Sequence, residues 1–196
     1  MVDREYWLQT ERLALRRFTP DDYEWLVALY NDAEVMRYGG GVKSPEQVQL
    51  VMQERILDYY DANPGLGVWQ TVERATGMPI GFHVLNNIQG ESIVQVGYFL
   101  LKSAWSRGFA TEMARALLRY GFVDLDLPHI AGMTERDNVA SQQVLTKIGL
   151  RRNGERAFPH PAYAHAGPMA WFEREAADWI AEHEGRPSHR PLSFDA

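Results

Sequence analysis

Residues 104–118 read AWSRGFATEMARALL and pass from a loop into a helix within three residues. The first four N–H groups of any helix lack an intrahelical acceptor. Here Ser106, Arg107, Gly108, Phe109, Ala110 and Thr111 stand where those groups emerge, with a small residue and a glycine that let the backbone close around an anion. Farther along, Ala114, Leu117, Leu118 and Phe122 recur at helical spacing and form a core-facing stripe. The loop is either a phosphate cradle or an ordinary turn. The chain has no GxxxxGK[ST], and no GxGxxG follows a strand at the start of a strand–helix–strand unit, so neither standard nucleotide motif decides the matter.

Upstream, GVWQTVE (67–73), PIGFHVLNNI (79–88) and SIVQVGYFLL (92–101) read as three strands separated by turn residues. Earlier still, ERLALRRF (11–18) alternates as a strand does. TPDDYEWLVALYND (19–32) reads as a helix capped by Thr19, with Asp21 and Asp22 suited to its positive end. After the glycine break at 39–41, residues 44–63 form a second helix capped by Ser44, with Val48, Val51, Met52, Ile56 and Tyr59 on one side. Downstream come HIAGMTE (129–135) as a strand, NVASQQVLTKIG (138–149) as a short helix ended by Gly149, and two last strands over 150–158 and 166–175. A meander feeding a strand–helix–strand unit predicts an α/β (α+β mixed) fold: one domain over 1–196, with a core of about 8–180. Its sheet is mixed, mostly antiparallel and twisted, with helices on both faces. The tail over 181–196 is expected to be loosely held.

Composition narrows the function. The 196 residues are 45% hydrophobic and 23% charged, as in ordinary globular chains. A net charge of −6 argues against a broad basic face for nucleic acid and favours cationic partners. There is no cysteine, which excludes disulfides, thiolate metal sites and a cysteine nucleophile. No apolar run reaches the ~18 residues of a membrane span, and the first residues lack the apolar core of a signal peptide. A cytoplasmic location is the expectation.

Two motifs then fall into place together. VGYFLLKSAWSRGFATE resembles motif A of the GNAT superfamily of N-acetyltransferases, in the style of its ribosomal-protein N-terminal acetyltransferase (Rim-type) branch. The loop pattern Q/R-x-x-G-x-G/A corresponds to Trp105, Ser106, Arg107, Gly108, Phe109 and Ala110, with tryptophan at the first position. The second signature, N-x-x-S-x-x-x-L-x-K-x-G, is matched by Asn138, Ser141, Leu145, Lys147 and Gly149. LQTERLALRRFTPDD and DAEVMRYGGG also resemble this branch. The resemblance spans roughly residues 8 to 180 and answers the opening question: it implies that the loop receives the pyrophosphate of acetyl-CoA.

What the resemblance implies can be written residue by residue. Backbone groups of Tyr98, Phe99 and Leu100, on a strand that splays from its neighbour, are expected to hold pantetheine and the thioester carbonyl. Arg107, Gly108, Phe109, Ala110 and Thr111 are expected to surround the phosphates. Asn138 caps its helix and is expected to contact pantetheine, while Ser141 is expected near the sulfur as acid. Relatives carry a glutamate base a few residues before Tyr98. Here Val94 and Gln95 stand in that region, and neither takes a proton. His83 is the nearest alternative; Glu135 and Asp137 read as solvated loop charges. Tyr38, Trp69, Tyr163 and Trp171 are candidate walls of an acceptor cleft between the first two helices and the last two strands. The two histidines of HPAYAH (160–165), with a proline between them and no third ligand, do not make a metal site. The expected activity is acetyl-CoA-dependent acetylation of a primary amine by direct attack in a ternary complex. The acceptor is the α-amine of a peptide N-terminus or a small molecule, no metal takes part, and a homodimer is admitted. A non-catalytic acyl-CoA-binding or interaction module of the same fold is the alternative.

Overall fold

The structure, a computed structural model, describes residues 6–183. Eight strands form one sheet in the order β1-β2-β3-β4-β5-β6-β8-β7. The first five are β1 (Leu8–Gln9), β2 (Leu13–Arg17), β3 (Gly67–Glu73), β4 (Met78–Asn87) and β5 (Val94–Leu100). They run as an antiparallel meander. Helix α4 (Phe109–Val123) carries the chain over to β6 (His129–Thr134), which lies parallel to β5. After α5 (Val139–Lys147), β7 (Arg151–Arg156) takes the edge and β8 (Met169–Glu175) inserts between it and β6. The mixed, mostly antiparallel sheet expected from the sequence is therefore present. It has one strand more than was read, because the two residues of β1 are too few to show a period.

Local chemistry explains the helix boundaries. Ser44 Oγ accepts from Gln47 N–H at 3.3 Å while Gln47 Oε1 accepts from Ser44 N–H at 2.9 Å, a reciprocal cap that starts α2 (Pro45–Leu50). That helix continues through a π-helical stretch, Val51–Leu57, into α3 (Asp58–Ala62). The wider turn brings both Tyr59 and Tyr60 inward, and the Tyr60 hydroxyl meets Phe18 N–H and Val68 C=O. Before α1 (Tyr23–Tyr30), Asp22 is buried rather than solvated at a helix end. Its carboxylate takes two bonds from Arg16, at 2.8 and 2.5 Å, and one from Thr19 N–H. Burial alone would raise its pKa, but these donors hold it below the usual carboxylate value.

Helices cover both faces. On one, Phe82 packs against Phe18 and Tyr30 of the α1 side. On the other, Gly121 of α4 lies so close to Ile130 that a Cβ would stand 2.5 Å from its Cδ1. A smaller apolar cluster of Ile88, Phe158, Met169 and Trp171 anchors the segment before β8. Helix α6 (Ala176–His183) buries Trp179 against Phe122, and its last turn takes in residues 181–183 of the tail expected to be loosely held. Residues 184–196 of that tail lie outside the described residues.

The edge strand β7 reads RRNGER, is almost wholly exposed, and shifts register at Gly154, whose φ is +77°.

Candidate active site

The site begins where the sheet comes apart. β4 and β5 pair at seven successive positions, from Asn87↔Val94 to Gly81↔Leu100. On its other edge β5 meets β6 at Gln95↔Ala131 alone. Beyond that pair the two parallel strands diverge toward their C-terminal ends. Antiparallel register then fixes which backbone groups face the gap. Leu101 N–H bonds Ile80 C=O at 2.8 Å, so the alternate residues Phe99 and Gly97 also direct their N–H and C=O toward β4. Val96, Tyr98 and Leu100 direct theirs into the wedge.

Two helices point their N-termini across this wedge. At the start of α4, Ser106 and Gly108 have φ of +59° and +79°, with Arg107 between them outside the left-handed region. Such alternation curls successive N–H groups toward one point. Gly108 caps the helix without any side-chain partner, and the first intrahelical bond runs from Glu112 N–H to Gly108 C=O at 3.0 Å. The amides of Phe109, Ala110 and Thr111 thus lack helical acceptors at the positive end of a 15-residue helix. The space over Gly108 is open: a Cβ there would find only Arg12 Nη2, at 3.5 Å. These features fit a pyrophosphate. The Arg107 side chain turns aside, pairing with Glu73 and lying 4.3 Å over the buried Phe109 ring. Trp105 donates its indole N–H to Leu100 C=O at 2.7 Å, fixing the turn between β5 and the cradle.

At the start of α5, Asn138 Oδ1 accepts from Ser141 N–H at 3.1 Å, which is the expected cap. Ser141 Oγ accepts from the Tyr98 hydroxyl at 3.3 Å. Burial raises the Tyr98 pKa, with the Ser141 contact opposing, so the phenol stays a donor. The chain thus brings Tyr98, Ser141, Asn138 and the 106–111 cradle to one opening.

Several sequence expectations need correction. Phe99 does not offer its backbone to the wedge: its N–H and C=O face β4 and its ring abuts Gly39, where a Cβ would stand 2.6 Å from Cε1. Leu100 faces the wedge, but its carbonyl is held by Trp105. His83 is fully buried, with Nδ1 bonded to Thr71 Oγ1 at 2.6 Å, and burial pushes its pKa down to about 3. Sealed there, it reaches neither solvent nor an incoming amine, contrary to a role as base. Trp69 is no cleft wall; it is core, stacked on Trp7 at 4.2 Å. Trp171 and Tyr163 sit with Phe158 in the smaller apolar cluster, and Tyr163 Oη accepts from Gln89 N–H. Of the four proposed walls, Tyr38 lies at the opening: its hydroxyl donates to Asp137 C=O at 3.4 Å.

One pair was missed. His165 Nε2 lies 3.9 Å from Glu135 Oε1, across 30 residues of sequence that no local pattern connects. Among the described residues no group of three or more histidines and carboxylates could hold a metal ion, and no helix is long and apolar enough to cross a membrane.

Comparison with known proteins agrees with this geometry. A family model described as "Acetyltransferase (GNAT) domain" matches residues 12–151. The chain is 34% identical over 152 residues to the "Uncharacterized N-acetyltransferase YoaA" of Bacillus subtilis (strain 168), covering 75% of this chain and 84% of that one. A GNAT-family acetyltransferase structure from Bacillus anthracis superposes with a TM-score of 0.69 at 25% identity, over 87% of this chain and 98% of its own. Spermidine N-acetyltransferase from Vibrio cholerae, solved with CoA and spermine, shares the fold at 15% identity with a TM-score of 0.68, over 87% and 99% of the two chains.

Proposed function

Because the chain belongs to the GNAT family and is an acetyl-CoA-dependent N-acetyltransferase, we propose that it acetylates a free α-amine. The acceptor is a peptide N-terminus or a small molecule, and the amine attacks directly within a ternary complex. The whole chain acts as one N-acetyltransferase domain, in the manner of the Rim-type branch. The observation that carries this reading is the wedge: Tyr98 turns its backbone into a gap that two helix N-termini flank.

Each residue then has a task. Tyr98 N–H, fixed by the β4 ladder, meets the thioester carbonyl oxygen where charge grows during attack. The amides over 107–111 hold the phosphates, with Gly108 supplying the left-handed turn that a Cβ would strain. Asn138 fixes the first turn of α5. Ser141, with a lone pair engaged by Tyr98, keeps its own proton for the departing sulfur. The acceptor preference follows from proton chemistry. An α-amine with pKa ~7.7–8.0 is partly neutral at physiological pH, whereas a lysine amine at ~10.4 is almost wholly charged. No carboxylate stands at Val94 or Gln95 to strip the latter.

Two matched peptides, one with a single free α-amine and one with a single free lysine amine, test the proposal. The α-amine peptide should be acetylated at least roughly tenfold faster near pH 7. Ser141→Ala should lower kcat roughly a hundredfold while the acetyl-CoA dissociation constant stays nearly unchanged. A preference for lysine overturns the acceptor, and an equal loss of affinity makes Ser141 a binding contact.

A further inference from the structure

With His83 sealed in the sheet, the group that accepts the amine's proton has to be sought at the mouth of the wedge. The segment Gly39–Gly41 leads there. Gly39 abuts Phe99 of β5, and at Gly40 a Cβ would stand 3.2 Å from both Cε1 and Nδ1 of His165. Neighbouring Cα atoms lie about 3.8 Å apart, so the imidazole is one residue removed from the Phe99 ring of β5. Gly40 and Gly41 have φ of +84° and +78°, a path that side chains would strain. The missing Cβ at Gly40 leaves room for the His165 ring beside this backbone.

From the other side comes Glu135, the first residue after β6, three positions before the cap of α5. Both side chains are about one-third exposed, and a cavity of about 120 Å³ opens beside Glu135, lined also by Arg136, Asp137, Gly167 and Met169. Their facing atoms, Nε2 and Oε1, are 3.9 Å apart. That is too long for a hydrogen bond, but one nitrogen roughly 2.9 Å from each would span it with two N–H groups.

We propose that His165 and Glu135 form the acceptor-ammonium site, in which His165 takes the proton that makes the amine nucleophilic. The inference rests on the N-acetyltransferase reading and adds to it the site of proton removal. Imidazole suits the task because its neutral ring nitrogen accepts a proton that the charged ring can give back. The charged or titratable groups around it are few. Glu135 and Asp137 come from the β6–α5 turn, Arg136 between them lines the same cavity and lies 3.6 Å from Glu155, and Tyr38 is bonded to Asp137 C=O.

The protons balance. His165 Nε2 takes one from R–NH₃⁺, and Glu135 faces the resulting imidazolium. The freed lone pair forms the C–N bond at the thioester carbonyl carbon, the C–S bond breaks, and sulfur leaves with its electron pair. Nitrogen releases one further proton while sulfur gains one through Ser141. His165 returns its proton to water, leaving an amide, a thiol and one proton.

The test uses the full chain, acetyl-CoA and a tetrapeptide amide with one free α-amine. His165→Gln should lower kcat/KM roughly tenfold at pH 7, and Glu135→Gln roughly threefold. Both deficits should nearly vanish at pH 9, where the amine is already neutral. The acetyl-CoA dissociation constant and melting temperature should not change, and the double variant should be no worse than His165→Gln alone. His160→Gln, in the same segment but outside the pair, should keep its rate within twofold. If the wild type turns over and the two variants match it, or lose equally at pH 7 and pH 9, the ammonium site is overturned and the enzyme reading survives. A wild-type chain that binds acetyl-CoA but acetylates neither this peptide nor its lysine counterpart overturns both.

Discussion

Strand β5 has two edges, and they serve different ends. Toward β4 it is paired along its whole length, with His83, Phe82 and Gly81 held at close quarters. Toward β6 it is paired once and then left open. One edge supplies rigidity and the other supplies backbone groups with no ladder partner. The two histidines repeat the contrast: His83 is shut inside the closed seam, while His165 is partly exposed beside Glu135, the residue that follows β6. The lesson is that a reactive residue type says little until its edge of the sheet is known.

The largest effect should come from breaking the closed edge. A Cβ at Gly81 would stand 2.3 Å from Phe99 C=O, a backbone atom that cannot swing aside. Gly81→Ala should therefore cost about 3 kcal/mol of stability, read by denaturant unfolding, and should weaken every function together. A variant of full stability would show that the seam is looser than its register implies.

A smaller effect separates stability from chemistry at His83. A free histidine takes up a proton near pH 6.5, whereas His83 does so only near 3. Between those values the unfolded chain binds more protons, so stability is full above pH 6.5 and falls as the pH falls. Between pH 6.5 and 5 this one group removes about 2 kcal/mol. His83→Gln should flatten that part of the stability curve without altering the pH dependence of the rate. An unchanged slope would mean that His83 is solvated after all.

The smallest of the three lies at the open edge. Gly108→Val meets no crowding but must hold a branched residue at φ +79°, with a side chain where phosphate oxygens approach. Acetyl-CoA affinity should drop roughly tenfold or more, and stability by about 1–2 kcal/mol. Titration calorimetry beside thermal melts distinguishes the two losses. Intact affinity in a folded variant would take the phosphates away from this loop.

Much of this was legible in the chain, for physical reasons. Helix starts announce themselves by short-range chemistry: Ser44 with Gln47, Asn138 with Ser141, glycine before a periodic apolar run. The strands of the meander were visible in their alternation and turns. Depth was not. Trp69 and Trp171 read as cleft walls, and His83 as a base, because type and position on a strand do not tell which layer lies above. The register that turns Tyr98 outward and Phe99 inward is decided between strands, not within one. Glu135 and His165 meet only after β8 has slipped between β6 and β7, an order that the chain's own succession does not display.

That insertion leaves β7 at the rim of the sheet, with arginines and a glutamate on a strand kinked at Gly154, while the opposite rim, β1, is two residues long. An open sheet is a template for the next chain, and both of its borders here are poor templates: one is too short to copy, the other too charged and bent. Crowded copies of this protein should then find no strand on which to grow a shared ladder. The same arginine-rich border should keep newly made chains from joining edge to edge while their cores are still closing.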